Sequence, residues 1–389
     1  MNFIKPFTRL KVFWMLYKLF YRIQDVFLPI YFVHGTTQKN GTSDISILFF
    51  GKRDALAYLS ETVYANDPEK KSLGSIFIWD IKRTLGYYSK DADVTVVKTD
   101  RFFSHFLKKK GFIIIPEWVE MSMTVPGSFQ NLADLISSSA KKDIQTLQKY
   151  GYIYEISDDI EKLDFFYYKM CLPYMMKRHG KLALLELTDY GDVKRNFKRG
   201  FLLFVKDSEK YIAGSLIIMR KKVAYPVYMG IVDDQVYLSR GVGAALYYFP
   251  LIWADKNGVK KINFGNTRTF LNSGDFQYKR KWGMTANRSN IFFGIYGLLI
   301  HQPSTKKAID VLENHPFIYE ENAGLKGLIV TQQTLTIEKI DSIWKHFFTP
   351  GLSNLSIFSP HSIPDTARDG VQSKYKDDIL LFDSLENIY

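Results

Sequence analysis

One cysteine in 389 residues, Cys171, is too few for an internal disulfide, and its apolar surroundings (Tyr168-Lys169-Met170-Cys171-Leu172) suit a buried, inert thiol. The seven histidines are dispersed, with no helical metal-ligand pair and no cysteine partners, so no metal is expected. Long apolar runs are lacking too. Lys11, Lys18, Arg22 and Asp25 interrupt the richest stretch, residues 10–28, well short of the roughly 20 residues that span a bilayer. Neither a long apolar centre nor a small-residue cleavage site marks a secretory signal. No Gly-Lys-Ser/Thr ends a glycine loop, which excludes a P-loop. Acidic residues are in deficit, 40 against 52 basic, for a formal charge of +12. That field attracts anions such as phosphorylated cofactors, acidic lipid head groups, RNA or anionic glycans. The cations come in scattered groups (Lys108-Lys109-Lys110, Lys141-Lys142, Lys279-Arg280-Lys281), with no continuous nucleic-acid arm.

Aromatics are abundant: 30 Phe and 25 Tyr imply thick apolar cores and surfaces suited to lipid or an acyl chain. Two domains with terminal extensions fit the length. As a helix, residues 1–36 carry Lys11, Lys18, Arg22 and Asp25 in one polar stripe against Trp14, Tyr17, Phe20 and Tyr21. That pattern fits a helix in a membrane interface, with lipid contact through residues 8–28, or a helix docked on protein. From 37 to 130 strand signals (Ile45–Phe50, Ser75–Trp79, Val94–Val97, Phe112–Ile115) alternate with helical ones (Ala55–Tyr64, Phe102–Lys110), a small α/β unit. A second unit spans 131–350. It opens on a basic amphipathic helix, Leu132 to Tyr150, closed by Gly151 and followed by the strand Tyr152–Ile156. A helix over 161–179 and a three-strand meander follow: Phe201–Val205, Tyr211–Arg220, Val223–Val232. Residues 351–389 read as a polar, loosely ordered tail.

The segment richest in chemistry is Ser239-Arg240-Gly241-Val242-Gly243-Ala244-Ala245-Leu246. Val242, Ala245, Leu246, Phe249, Ile252 and Trp253 recur at helical spacing, Asn257-Gly258 supplies a stop, and Pro250 predicts a kink. A helix beginning at glycines presents free N–H groups and a positive dipole end, a site for a pyrophosphate, with Arg240 adding a charge. The third glycine of a dinucleotide fingerprint is missing, and the strand Lys261–Phe264 follows the helix directly.

Arg240-x-x-Gly243-x-Ala245 in this setting resembles the acyl-CoA pyrophosphate loop of the GNAT acyltransferase superfamily. Ile262-Asn263-Phe264-Gly265-Asn266-Thr267-Arg268 and Gly274-Asp275-Phe276-Gln277-Tyr278-Lys279-Arg280-Lys281-Trp282-Gly283 resemble the Phe-x-x-Lys-x-x-x-Gly region of one branch. That branch holds Fem-type peptidoglycan aminoacyltransferases and GNAT proteins of envelope-polysaccharide loci. The resemblance covers residues 130–345 and implies an α/β (α+β) fold of two tandem GNAT-like domains, each a mixed, mostly antiparallel sheet flanked by helices, the first over 37–130 without a cofactor loop and the second over 131–350 with the acyl-donor site. It implies acyl-CoA, acetyl or longer, as co-substrate and an amine on an envelope-related sugar, peptide, amino acid or lipid-linked molecule as acceptor. The setting it implies is cytoplasmic, at the inner face of the membrane. The donor would lie between splayed strands Val223–Val232 and Lys261–Phe264, on Arg240, Gly241, Val242, Gly243, Ala244 and Ala245, with Asn263 and Lys279 close by. Asp275, Tyr278 and Tyr228 are the candidate proton-transfer groups. The alternatives are a tRNA-dependent Fem-type aminoacyltransferase and a non-catalytic GNAT-fold binding protein.

Overall fold

The computed structural model describes residues 26–38, 43–125, 127, 129–177, 189–232, 235–289, 294–301, 306–322 and 324–384. The fold is mixed α/β, built on two mixed sheets flanked by helices. The chain starts in the first sheet with β1 (Phe27–Thr36), β2 (Asp44–Phe50), β3 (Glu69–Phe77), β4 (Val94–Thr99) and β5 (Ile113–Pro116). It crosses to the second with β6 (Trp118–Thr124) and remains there through β7 (Ile153–Ser157), β8 (Gly200–Asp207) and β9 (Lys210–Arg220). β10 (Val223–Ile231), β11 (Lys261–Arg268) and β12 (Thr285–Arg288) complete that sheet. It then returns to the first sheet with β13 (Ile295–Ile300), β14 (Phe317–Glu321), β15 (Gly324–Val330), β16 (Leu352–Phe358) and β17 (Ile379–Phe382). The first sheet runs β17-β16-β15-β14-β5-β13-β4-β2-β1-β3, and the second β12-β6-β11-β10-β9-β8-β7.

Three sequence expectations are corrected here. The units do not divide at 130/131, because β6 pairs antiparallel with β11 and everything from β13 onward rejoins the first sheet. Residues 351–384 are no loose tail. Helix Asp365–Lys374 turns Ala367 and Val371 inward and carries the chain from β16 to the parallel strand β17, an ordinary crossover. And Phe27–Thr36 is a strand, paired on both sides, with Leu28, Ile30 and Val33 buried. The rest of the expected N-terminal helix, and most of the membrane contact at 8–28, lies outside the described residues.

Local chemistry accounts for smaller differences. Ser137 caps the helix Ser138–Lys149 by accepting from the Ala140 N–H at 3.2 Å, which divides the expected helix 132–150 from a shorter one at Phe129–Leu135. The helix begun at Ile160 passes into a π-turn, Tyr167–Cys171, a wide turn that frequently marks functional sites.

The helix Val242–Lys256, called the donor helix after the role expected of it, runs unbroken through Pro250. Its sequence suggested one apolar face, yet Val242, Ala244, Ala245, Leu246, Phe249, Leu251 and Ala254 are all buried. Both sides are covered because helix Ser138–Lys149 packs on one and β8–β11 on the other. Each large apolar side chain so buried contributes roughly 1.5–3 kcal/mol. Tyr247 stacks on Phe264 of β11 at 5.1 Å and lies 6.0 Å from the fully buried Trp282. The helix therefore cannot shift without disturbing the strand beside it.

Candidate functional site

The second sheet contains a break. β10 and β11 are its one parallel pair among the described residues, and they pair only at Val223–Lys261 and Ala224–Ile262. Beyond those residues the strands part, although β10 runs on to Ile231 and β11 to Arg268. Each strand carries a one-residue bulge where it parts. On β10, Pro226 faces Ile217 while Tyr228 faces Leu216, leaving Val227 as the extra residue. On β11, Asn263 faces Ser122 while Asn266 faces Glu120. A bulge bends its strand and raises its twist, so two bulges turn neighbours away from each other. The facing edges then present backbone N–H and C=O groups that the sheet itself does not pair, a slot that an extended amide-bearing molecule can fill.

The bulge in β11 is held by side chains. Gly265 adopts φ +79°, and its N–H donates to the Asn263 side-chain oxygen at 2.8 Å. The Asn266 carbonyl accepts from the Lys279 ammonium at 2.8 Å, and that ammonium also lies 3.2 Å from Asp275. Lys279 is 5% exposed. Its neighbours Arg280 and Lys281 suggested a solvent-facing turn, but helix Gly274–Lys281 puts Lys279 on the same side as buried Phe276. Asn263, Asp275 and Lys279 thus form one network around the β11 wall.

At the far end of β10 the chain turns through Gln235–Ser239 into the donor helix. Gly241 caps that helix at φ +74°, a conformation natural to glycine. Val242, Ala244 and Ala245 bury their side chains, so this first turn offers the gap backbone rather than bulk. A methyl at Gly243 would meet nothing nearer than Ile231 Cδ1 at 4.0 Å, so open space stands over the turn. The Ala244 N–H there donates to the Gly241 carbonyl at 2.9 Å, which leaves the N–H groups of Val242 and Gly243 as the ones a helix start does not pair. Arg240 flanks the loop, its guanidinium 4.9 Å from the Tyr150 ring centre and 3.8 Å from Asp207.

Tyr228 stands on the other wall, one residue past the β10 bulge, in a separate apolar cluster with the π-turn. Burial raises its phenol above the ordinary range and outweighs the opposing pull of the Asn196 amide, which donates to it at 3.5 Å, so Tyr228 carries its proton at neutral pH. Tyr278 packs edge-on against Tyr247 at 5.0 Å, with the Lys281 ammonium 4.0 Å over its ring. The structure therefore sets Tyr278 against the donor helix and keeps Tyr228 and Asp275 on opposite walls.

Sequence reasoning passed over Gly230, where a Cβ would lie 2.4 Å from the backbone nitrogen of Cys171, so the π-turn rests directly on β10. A conformationally ordinary glycine inside a strand was the available signal. It also passed over Arg268 and Glu117, 3.2 Å apart in space but 151 residues apart in the chain.

No protein-family model and no curated protein matches the chain. Solved structures similar to it are GNAT-fold proteins at low identity. They include the C-terminal domain of a putative lysylphosphatidylglycerol synthetase from Agrobacterium fabrum, at 11% identity over 69% of this chain and 81% of that one, TM-score 0.34. FemX is similar at 13% identity over 70% and 84%, TM-score 0.36. A tandem GNAT protein from the clavulanic acid biosynthesis pathway is similar at 10% identity over 61% and 76%, TM-score 0.30. Correspondence at these scores is partial, and the chemistry below follows from this chain's own strands and loop. Among the described residues, no helix is long and apolar enough to cross a membrane.

Proposed function

We propose that the protein is an N-acyltransferase that moves an acyl group from an acyl-CoA to an amine on an envelope-related sugar, peptide or amino acid. The parting of β10 from β11 beside a glycine-capped helix start carries this reading. A CoA thioester has a pyrophosphate, which suits the first turn at Gly241–Ala245, and an extended arm with two amides, which suits the unpaired strand edges. Its acyl carbon would then lie between the walls that carry Tyr228 and the Lys279–Asp275 pair.

In the reaction a neutral amine attacks the acyl carbon, the C–S bond breaks, and the departing thiolate takes a proton. Tyr228, held protonated by burial, is suited to supply that proton. Asp275, paired with Lys279, is suited to orient the acceptor amine and accept the proton that nitrogen loses as the amide forms, which returns through solvent to Tyr228. Most of the acceleration would come from holding amine and thioester together, worth up to roughly 7–11 kcal/mol in well-oriented systems.

The deciding measurement is a calorimetric and thermal-shift titration with acetyl-CoA, a long-chain acyl-CoA and free CoA, on wild type and Gly243→Glu. Saturable binding by wild type that the new carboxylate abolishes supports the reading. Failure of every ester to bind a cooperatively melting wild-type protein overturns it.

A further inference from the structure

The first sheet encloses a second candidate site, separate from the strand gap. A cavity of about 100 Å³ lies between Ile47, Val96, Ile115 and Leu298 on the sheet and Leu59 and Leu312 on the covering helices Arg53–Val63 and Lys306–Asn314. Its lining is almost wholly apolar, so it stays dry, as cavities of this kind do. Its rim is built differently. The Arg268 guanidinium sits between two aromatic rings, 4.2 Å from the centre of Tyr58 and 3.9 Å from that of Trp118. It donates to Glu117 at 3.2 Å, and Lys98 donates to the same carboxylate at 2.6 Å. Lys98, Glu117 and Arg268 are only 17%, 19% and 28% exposed.

Three largely buried charges at the edge of an apolar hole are costly to hold, and apolar replacements would serve stability as well or better. They also do not balance, since two cations share one carboxylate. Among the described residues Glu117 alone accepts from the Arg268 guanidinium, which has five N–H groups. The flanking rings fix that guanidinium in place, so little freedom is lost when a further acceptor arrives. Glu117 would keep Lys98 and the Gly294 N–H, 3.2 Å away, if Arg268 turned part of its fork elsewhere.

We propose that this cavity is a binding site for a compact apolar group, a short alkyl chain of about four carbon atoms, carried on a carboxylate that Arg268 receives at the rim. Size sets the group: a dry cavity of about 150 Å³ accepts benzene, and this one is somewhat smaller. Charge sets the head: the rim has one positive charge in surplus and a rigid guanidinium, which pairs carboxylates in two-point fashion. Arg268 closes the strand that parts from β10 after Ile262, so the pocket's rim stands at the open end of one wall of the gap. The assignment does not depend on the transferase reading, because binding is measured with no donor present.

The test titrates the full chain with straight-chain carboxylates from acetate to decanoate and with the matching primary alcohols, by calorimetry and thermal shift. Affinity should rise about fourfold per methylene until the alkyl chain reaches about four carbons and then level off. Each acid should bind at least about tenfold tighter than its alcohol. Arg268→Gln should abolish the preference for acid over alcohol and leave the chain-length ladder intact. Val96→Phe, which fills the cavity, should remove the ladder for both series. If that variant does not melt cooperatively, Val311→Ile serves instead and should shorten the optimal chain by one carbon. An affinity independent of chain length, or a ladder that the filling variant leaves unchanged, would overturn the assignment. So would an acid preference that survives Arg268→Gln.

Discussion

Gly243 separates stability from donor binding in a single substitution. It lies in the first turn of the donor helix with ordinary helical φ, and a Cβ there would meet only Ile231 Cδ1 at 4.0 Å. Nothing in the fold opposes Gly243→Ala. Alanine is favoured over glycine in a helix by up to about 1 kcal/mol. Unfolding entropy of about 2.1 cal/mol/K per residue gives this chain about 0.8 kcal/mol/K, so the melting temperature should rise by about 1 °C at most. The methyl nevertheless occupies the open space over the first-turn N–H groups. Losing one hydrogen bond to an ionised phosphate costs roughly 1.5–3 kcal/mol, so acyl-CoA affinity should fall by roughly tenfold to a hundredfold. The same helix supplies a control. Gly258 holds φ +68° at its far end, and a Cβ there would have nothing within 4 Å, so Gly258→Ala should lower the melting temperature by about 1 °C and leave affinity unchanged. Calorimetry and melting curves on the three proteins decide the matter. Wild-type affinity in Gly243→Ala would refute backbone recognition at this turn. A loss of several degrees in the same variant would refute the geometry around it.

Three further outcomes follow from other contacts. Gly230→Ala places a Cβ 2.4 Å from the Cys171 nitrogen, and backbone cannot yield as a side chain does, so overpacking should cost about 1–3 kcal/mol and about 1–4 °C in melting temperature. The Cys171 thiol, pushed up to about 12 by burial, should resist alkylation at pH 8 in wild type and react faster in that variant; equal rates would show that the π-turn does not rest on Gly230. Lys279→Met keeps the volume but leaves the half-buried Asn266 carbonyl without its Lys279 partner, at about 1 kcal/mol, and should lower kcat more than it raises the KM for the donor; an unchanged melting curve would remove Lys279 from the bulge network. Hydrogen bonds from Lys162, Tyr211 and Lys206 hold the Glu155 carboxyl down at about 2, so the stability it lends is full above its ordinary 4.5 and is lost as pH falls from there through about 2. Glu155→Gln should flatten the melting-temperature profile across that window, and a profile parallel to wild type would contradict the assignment.

The helix that starts at the glycines was legible because its signals are local. Gly241, Gly243 and an apolar repeat ending at Asn257 lie within 17 residues, and the helix spans Val242–Lys256 as its spacing predicts. The strands on either side, Val223–Val232 and Lys261–Phe264, were legible for the same reason. Sheet membership was not. Nothing in Trp118–Thr124 says that it lies against β11 rather than β5, and β5 ends between β13 and β14, partners almost 200 residues on. The short run Ile379–Phe382 was read into a loose polar tail because the parallel strand it joins lies across a whole crossover helix. The burial of Lys279 was not legible, since a Lys-Arg-Lys run reads as solvated unless the preceding Phe276 is taken to fix which side faces in.

The least legible feature is also the one the chemistry needs. A sheet that opens in its middle forgoes several backbone hydrogen bonds, each worth about 0.5–1.5 kcal/mol net, so something must keep it from closing. On β11 the agents are polar and specific: Asn263 caps the left-handed Gly265, and Lys279 takes the Asn266 carbonyl that a closed ladder would otherwise use. On β10 the agent is covalent. Pro226 has no N–H to give, and the π-turn seated on Gly230 fixes the strand beyond it. Neither set makes sense as stabilisation of an ordinary sheet, since each satisfies one wall in a geometry that leaves the other unpaired. Both make sense if the edges are kept apart for a third strand-like partner. An acyl donor with amides along its arm meets that description, and the glycine-capped helix start stands where its phosphates would end.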